Sequence, residues 1–305
     1  MVVLSAQKLR IASWNLLHGE QIPPDANLSA QQWEENLITA TQVINEKLKP
    51  DFLGLQEVDY MQPRSGNLNQ TKVIADTLGF KYWSFLPAII GTPGESWQKV
   101  VDLDQALINQ SSDSTSVRVN NSTLGAPSYG IGFVTNQPVK KIYVKQLGRS
   151  LIGMPLAIPK VQPGSAEKPN GFKLIYIKDE PRVAITAELE SGLTITNTHL
   201  SFAPGVNIFQ LNKLAKHLQN LPGLQLLIGD MNLPGNLPQK LATVGGNWRS
   251  LVKQNTYPSW KPGIQFDYLL SKKEDLAKFE AVALPSISNL QLSDHIPIGA
   301  EISFK

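Results

Sequence analysis

The sequence predicts an α/β (α+β) fold in a single domain spanning residues 1–305. Short apolar runs of strand character are interspersed with amphipathic helical patterns, and three strand-like runs follow one another between residues 172 and 197. No linker, composition break or internal repeat divides the sequence. With 305 residues, 42% of them hydrophobic, the chain is long enough to bury a sizeable core.

The first elements form a β-α-β unit. Leu9–Trp14 is a short apolar run that predicts a strand, and a polar loop follows it. Ser29, with Gln32 three residues later, has the pattern of a capping box and predicts the start of a helix, whose apolar spacing continues until Pro50. The buried strand predicted next, Phe52–Leu55, completes the unit.

The later elements are predicted from the same two patterns, the helical spacing of apolar residues and the apolar runs of strands. One predicted helix closes at Gly79, and another carries leucines on one face before Pro222. Those helices are predicted at Thr71–Leu78 and Asn207–Leu221. The remaining strands are predicted at Tyr82–Leu86, Tyr129–Thr135, Val139–Leu147, Phe172–Ile177, Val183–Leu189, Leu193–Asn197, Leu224–Ile228, Phe266–Leu270 and Ile296–Phe304.

Two long stretches lack a clear pattern, residues 87–128 and residues 148–171. Loops of this length inside a compact domain are usually functional or disordered. The second stretch contains the apolar run Leu151–Ile158. That run could form an exposed lip for an apolar substrate, but we expect it to pack against the body of the domain.

Composition excludes several classes of protein. Cysteine is absent, which rules out disulfide frameworks, thiolate metal sites and cysteine nucleophiles. The net charge of +3 is compatible with an anionic substrate but is far below that of a protein that lives on duplex DNA. The first ten residues have neither the basic nor the apolar part of a secretory leader, and no segment reaches the roughly 20 apolar residues of a membrane span. We therefore expect a cytoplasmic monomer without stable membrane association.

Polar side chains recur where the apolar strands end. A rigid scaffold commonly positions functional side chains in this way. The set is rich in oxygen donors and contains no sulfur, which favours Mg²⁺ or Mn²⁺ as the bound metal. It also includes histidines, which can transfer protons. The residues are Asn15, Gln56, Glu57, His199, Asp230, Asn232, Asp267, Asp294 and His295.

The motifs around these residues resemble the endonuclease/exonuclease/phosphatase superfamily over nearly the whole chain. They are Ser13-Trp14-Asn15, Leu55-Gln56-Glu57-Val58, Thr198-His199-Leu200, Gly229-Asp230-Met231-Asn232, Phe266-Asp267-Tyr268 and Ser293-Asp294-His295. The resemblance implies a four-layered α/β sandwich, in which two mixed sheets pack face to face with helices outside. It also implies metal-dependent hydrolysis of a P–O bond.

The resemblance implies metal ligands at Glu57, Asn15 and Asp294. A divalent cation there would offset the negative charge that develops on the phosphate oxygens.

By the same resemblance Asp230 orients or deprotonates the attacking water, and Asn232 donates to a phosphate oxygen. His295 is a second acid-base group, held by Asp267. His199 donates to the phosphate or to the leaving oxygen. Which histidine is the acid and which the base stays open at this stage.

Arg182 falls where relatives often place an arginine that touches phosphate, although a surface salt bridge with Glu180 is an equal alternative.

Secreted deoxyribonucleases pair the first histidine with an acidic residue, for which this sequence has no counterpart before Tyr129, so the partner of His199 is open. His18 is expected to face solvent and His217 to have no role.

A phosphodiesterase or nuclease is the leading hypothesis, with a phosphoester substrate and nucleic acid as the default class. The modest charge leaves a phospholipid or small-molecule phosphoester as the alternative. A catalytically silent phosphate-binding protein is a third hypothesis, which the full set of expected catalytic residues disfavours.

Overall fold

The structure is a computed structural model, and it describes residues 8–25, 27–110, 118–119, 126–159, 172–242, 247–288 and 290–305. In chain order the strands are β1 Lys8–Asn15, β2 Phe52–Tyr60, β3 Tyr82–Gly91, β4 Trp97–Lys99, β5 Ile108–Gln110, β6 Arg118–Val119, β7 Ser128–Thr135, β8 Val139–Gly148, β9 Met154–Pro159, β10 Phe172–Ile177, β11 Arg182–Leu189, β12 Leu193–His199, β13 Leu224–Asp230, β14 Trp248–Ser250, β15 Asp267–Lys272, β16 Phe279–Ala283 and β17 Ile298–Phe304. The helices are α1 Ala30–Leu48, α2 Gln70–Leu78, α3 Leu103–Ala106, α4 Val206–Leu218 and α5 Leu237–Leu241, with single 3₁₀ turns at Leu17–Gly19, Pro63–Ser65 and Lys273–Asp275.

Two mixed sheets make the body of the molecule. The first has nine strands in the order β16-β17-β1-β2-β7-β3-β5-β6, with β4 paired to β3, and the second has six in the order β14-β15-β13-β12-β11-β8. Each sheet contains one parallel pair among antiparallel neighbours: β1 with β2 in the first, and β12 with β13 in the second. Strands β9 and β10 pair only with each other.

The molecule has four layers, in the order helices, first sheet, second sheet and helices, and an apolar core fills each of the three spaces between them. The largest core lies between the sheets and includes Phe52, Phe133 and Ile185. A second core joins the outer face of the first sheet to α1, and a third joins the second sheet to α4. The four-layered α/β sandwich that the sequence predicts is therefore confirmed.

Helix α1 begins as the sequence predicts. The Ser29 side chain accepts a hydrogen bond from the Gln32 backbone N–H, and the Gln32 side chain accepts one from the Ser29 backbone N–H. This reciprocal cap satisfies two N–H groups that the first helical turn leaves without partners. The buried face of the helix, which includes Leu37 and Ile44, then packs on the first sheet.

The sequence predictions are wrong in two stretches. Residues 87–128 contain, in their described part, the end of β3 and the short elements from β4 to β6. The apolar run expected to pack against the body does not do so at its described start, where Leu151 and Ile152 are exposed, and β9 and β10 form their own two-stranded sheet. The side chains at positions 154 and 156–158 of the run lie outside the described part of the chain.

Among the described helices, none combines the length and the apolar content that a transmembrane span requires.

Candidate active site

A β-bulge in strand β2 aims Glu57 into the cleft at one end of the sandwich. Leu55 pairs with Gly132 of β7 and Val58 with Gly130, so that two residues of β2 face one residue of β7. Glu57 has φ 53°, in the left-handed region that few residues other than glycine adopt. Because of the extra residue, the Glu57 side chain does not follow the alternation of side chains along β2, and its carboxylate projects into the cleft.

Asn197, from the opposite sheet, holds this bulge in place. Its Nδ2 donates to the carbonyl oxygens of Leu55, at 2.9 Å, and Gly132, at 2.8 Å. Its Oδ1 accepts a hydrogen bond of 2.5 Å from Gln56 Nε2, and Gln56 also contacts Ser13. All of these side chains are buried, so Gln56 is a structural residue that joins the sheets beneath the cleft. Sequence reasoning missed Asn197, whose signal is a polar residue within an apolar strand.

The strand ends place the remaining polar groups side by side. His199 at the end of β12 is in register with Asp230 at the end of β13, and Asp230 is in register with Asp267 at the start of β15. Asn15, at the end of β1, donates from Nδ2 to Glu57 Oε1 and to Asp230 Oδ2, both at 3.0 Å. The Asn15 amide therefore bridges carboxylates that come from the two sheets.

His295 and Asp267 form a buried hydrogen-bonded pair. His295 Nδ1 donates to Asp267 Oδ2 at 2.7 Å, and His295 Nε2 lies 3.8 Å from Asp230 Oδ2. Burial disfavours the charged imidazole, but the carboxylates of Asp267, Asp230 and Asp294 outweigh it and raise the pKa of His295 well above its usual value. The arrangement favours a charged His295 with its ring orientation fixed.

His199 has the opposite electrostatic environment. Burial, then the positive charges of Arg182 and His295, hold the pKa of His199 well below its usual value. Arg182 Nη1 lies 3.0 Å from Nδ1 and 3.3 Å from Nε2 of the ring. An in-plane hydrogen bond to one ring nitrogen would leave the other much farther away, so the guanidinium lies over the ring face. The partner of His199 is thus an arginine.

Asn232 fixes the remaining edge of this histidine. Asn232 has φ 47°, and its backbone N–H donates to Asp230 Oδ1 at 2.8 Å. Its Nδ2 donates to the Leu200 carbonyl oxygen at 3.0 Å and lies 3.1 Å from His199 Nε2. Because a carbonyl only accepts, the amide nitrogen must face both groups, which leaves Nε2 as an acceptor and the proton on Nδ1.

Two sequence predictions about charged residues need correction. Arg182 is not on the surface: it is 5% exposed and lies 3.5 Å from Asp179 and 3.6 Å from Glu180. His18 does not face solvent, because its side chain is only 17% exposed and burial, with Arg64 nearby, lowers its pKa to about 3. Arg182 is the first residue of the buried strand β11, and His18 lies in the short 3₁₀ turn that directly follows the buried strand β1.

The cleft gathers more carboxylates than its cations balance. Burial, with neighbouring carboxylates adding to it, raises the pKa of Asp230 to about 7 and that of Asp294 to about 6. Asp267 Oδ1 is buried with no hydrogen-bond partner among the described residues. Ligand atoms of Asp230, Asp267 and His295 also lie within 4.8 Å of one another. That group does not include the predicted ligands Asn15, Glu57 and Asp294, and a charged His295 cannot bind a metal. The cleft as a whole is nevertheless rich in carboxylate oxygens and negatively charged, which fits a divalent cation such as Mg²⁺ or Mn²⁺.

The structure brings the predicted site residues into one cleft. They are Asn15, Glu57, Arg182, His199, Asp230, Asn232, Asp267, Asp294 and His295. Sequence reasoning also missed Tyr257, whose ring centroid lies 5.1 Å from that of His295. No motif marks this tyrosine, which reaches the site from a loop. His217 lies on α4, outside the cleft.

Several solved structures share this fold. An endonuclease/exonuclease/phosphatase from Beutenbergia cavernae DSM 12333 aligns with a TM-score of 0.57 at 16% identity, covering 98% of this chain and 72% of that one. The catalytic domain of human Nocturnin with a bound sulfate anion aligns with a TM-score of 0.55 at 18% identity, covering 98% and 95%. The mannosyl-6-phosphatase Bt3783 of Bacteroides thetaiotaomicron VPI-5482 aligns with a TM-score of 0.53 at 13% identity, covering 97% and 100%.

No curated protein matches the sequence. A family model does: the one described as the Endonuclease/Exonuclease/phosphatase family matches residues 12–295, from the first strand to the histidine that pairs with Asp267. The match spans every predicted site residue. The chain therefore belongs to the Endonuclease/Exonuclease/phosphatase family.

Proposed function

We propose that this protein is a divalent-metal-dependent phosphodiesterase that hydrolyses P–O bonds. The observation that carries the proposal is the cleft itself, where a buried His295–Asp267 pair and a buried His199 lie on either side of Asp230. Family membership supports phosphoester hydrolysis, because members of this superfamily are phosphoester hydrolases. A monomeric, cytoplasmic enzyme remains part of the proposal.

Glu57 and Asp294 would hold the cation, with Asn15 beside them. The Glu57 carboxylate lies close enough to Asp294 to contribute to the raised pKa of that residue. A divalent cation bound there would withdraw charge from a phosphate oxygen as the P–O bond breaks.

The chain's own residues supply the proton chemistry. Asp230 orients or deprotonates the attacking water, since Asn15 and the Asn232 backbone fix both of its oxygens. His295 is the charged acid-base group, and Asp267 holds its tautomer. The opposite shifts in pKa of the two histidines support this division of roles.

Arg182, Asn232 and His199 would bind the substrate phosphate. Arg182 supplies N–H donors, and a neutral His199 supplies one further ring N–H. Asn232 would donate to the phosphate by exchanging its amide contact with His199 for one with the substrate. Arg182 keeps a strong positive charge despite its burial, because Glu180 and Asp179 raise its pKa. A positive group fixed in the protein before the substrate arrives stabilises the transition state without rearrangement.

Nucleic acid is the proposed substrate class, with a phospholipid or small-molecule phosphoester as the second candidate. The low net charge weakens the case for duplex DNA, because duplex binding normally needs several basic residues on one face. The exposed apolar side chains Leu151 and Ile152 favour the second candidate.

A substrate panel with Mg²⁺ and Mn²⁺ tests the proposal. It would contain DNA, RNA, a bis-aryl phosphodiester, a phospholipid and a phosphomonoester. We expect His295→Ala to lower the rate by roughly 10²- to 10⁴-fold, as the loss of a general acid-base group does. His217→Ala is the matched control and should leave the rate unchanged. Absence of metal-dependent hydrolysis of every ester would refute the proposal and favour a silent phosphate-binding protein.

A further inference from the structure

An apolar two-stranded arm projects from the second sheet beside the cleft. We define the arm as residues 149–159 and 172–178, with strands β9 and β10 at its centre. These strands hydrogen-bond to each other and join neither large sheet. Because a sheet needs a second layer to bury an apolar face, one face of this arm has no partner among the parts of the chain that the structure describes.

That face is strongly apolar. Leu174 and Tyr176 alternate along β10 and are 72% and 67% exposed, and Pro155, paired with Tyr176 across the arm, is also exposed. Residues opposite each other in an antiparallel pair project to the same side. Leu151 and Ile152, at the start of the arm, are 89% and 73% exposed. The described part of the chain has eight exposed large hydrophobic side chains, and four of them are on the arm.

The charges on the arm have one sign. Arg149, Lys173 and Lys178 are exposed, and the described part of the arm contains no acidic residue. Arg149 stands over the Trp97 ring at 5.4 Å. Lys173 projects from β10 on the side opposite Leu174 and Tyr176, and Lys178 lies just after the end of the strand. Apolar and aromatic side chains set among basic ones are complementary to the interface of an anionic lipid bilayer.

The base of the arm is fixed to the site. The Asp179 carboxylate accepts a 2.6 Å hydrogen bond from the Ser150 backbone N–H and a 2.8 Å bond from Ser201 Oγ, two residues after His199. Gly148, where the arm leaves β8, is paired with Arg182. The arm therefore starts beside the residues that would bind the phosphate.

We infer that the arm docks this protein reversibly on the surface of anionic lipid bilayers. A stable protein interface uses roughly 20 to 30 residues on each side, far more than this face presents, whereas insertion of a few apolar side chains with basic neighbours is sufficient for weak membrane docking. Docking would bring the cleft to the level of the lipid headgroups, which are phosphodiesters. That last consequence rests on the proposed function; the docking does not.

Co-sedimentation with vesicles tests the inference. The full chain would be mixed with phosphatidylcholine vesicles with and without phosphatidylserine, over a range of salt concentrations. We expect binding only to the vesicles with phosphatidylserine, and weaker binding as salt rises. Leu174→Ser combined with Tyr176→Ser should lower binding by about tenfold or more. Lys173→Gln combined with Lys178→Gln should weaken binding to the vesicles with phosphatidylserine and reduce its salt dependence.

Val282→Ser is the matched control, because Val282 is 64% exposed on β16, an edge strand of the first sheet. It should bind vesicles as the wild type does. Circular dichroism would show that every variant is folded. The arm variants should hydrolyse a soluble bis-aryl ester at the wild-type rate, so a failure of that reaction with vesicle binding intact counts against the proposed function alone.

Three results would overturn the docking inference. The first is a wild-type chain that binds neither vesicle, and the second is an arm variant that binds as the wild type does. The third is a wild-type dimer in light scattering that the Leu174→Ser, Tyr176→Ser variant converts to monomer, which would make a second copy the occupant of the face.

Discussion

His199 differs from a typical acid-base histidine in what surrounds it. An arginine lies over its ring and an amide N–H points at Nε2, so no carboxylate orients it directly. The nearest carboxylate oxygens, on Asp230 and Glu57, are 3.6 and 3.9 Å from Nε2. The side chain is thereby held neutral, and it can act through a hydrogen bond more readily than through a charge.

We predict the neutral Nδ1–H tautomer for His199 in the metal-free protein. Nitrogen NMR of the ring distinguishes the two nitrogens, and with four histidines in the chain the assignment is tractable. Arg182→Met removes the positive charge over the ring and should raise the pKa of His199, whereas His217→Asn should leave the His199 signals unchanged. A charged His199 ring at neutral pH in the wild type would contradict the geometry.

His18 gives a prediction about stability and pH. Its pKa falls to about 3 in the folded protein, so between pH 6.5 and 3 the unfolded chain binds more protons at this residue. Stability contributed by His18 is therefore present above the unfolded pKa and is lost as the pH falls, with a slope that approaches about 1.4 kcal/mol per pH unit.

His18→Asn isolates this contribution, because asparagine tolerates the φ of 44° at this position. Urea unfolding at several pH values should show a shallower acid loss of stability in the variant than in the wild type. Glu20, whose pKa is raised to about 7 and whose effect has the opposite sign, lies 3.9 Å from His18 Nε2, so the same pair of curves measured in a Glu20→Gln background separates its contribution. Parallel pH curves for the two proteins would refute the assignment.

At the scale of elements, the bulge in β2 and its partner Asn197 set the position of Glu57. Asn197 donates to two buried carbonyl oxygens, and removal of those donors leaves the carbonyls unpaired. We expect Asn197→Leu to lower the free energy of unfolding by about 1–3 kcal/mol for each orphaned group and to weaken metal binding through Glu57.

Thr186→Val is the control for this prediction. Thr186 is a buried polar residue of the neighbouring strand β11 whose hydroxyl pairs with Thr196, away from the bulge. The Thr186→Val substitution should lower the free energy of unfolding and leave the metal affinity, measured by titration, unchanged. If Asn197→Leu kept the wild-type metal affinity, the bulge would not depend on this residue.

The sequence predicts most elements but not this arrangement. Helix α1 follows from its cap and its periodicity, and β1 from its apolar run, because both signals are local. The bulge depends on pairing between β2 and β7, which lie far apart in the chain, and no local pattern specifies it. For the same reason the sequence marks Glu57 as a candidate metal ligand but does not show that Asn15 and the bulge position it. It also leaves the partner of His199 open.

At the scale of the molecule, the excess of buried carboxylates predicts that the fold is strained electrostatically without a cation. We expect Mg²⁺ or Mn²⁺ to raise the melting temperature, because a ligand that binds only the folded state stabilises it by mass action. Differential scanning fluorimetry over a metal titration measures this.

Glu57→Gln keeps the size of the side chain and removes one negative charge. It should raise the melting temperature of the metal-free protein and abolish most of the shift with metal. Glu280→Gln, an exposed carboxylate on β16, is the control and should respond as the wild type does. An equal metal shift in all three proteins would show that the cation binds elsewhere.

The pairing of β1 with β17 has a consequence for how activity arises. These strands come first and last among the described strands of the chain, and the Ser293 hydroxyl near β17 donates to the Asn15 carbonyl oxygen at 2.6 Å. The cleft needs Asn15 from the first strand and His295 from just before the last. A ribosome-bound chain that still lacks β17 therefore cannot have a complete site, so the newly made protein acquires its full set of catalytic groups only after β17 has been made and has paired with β1.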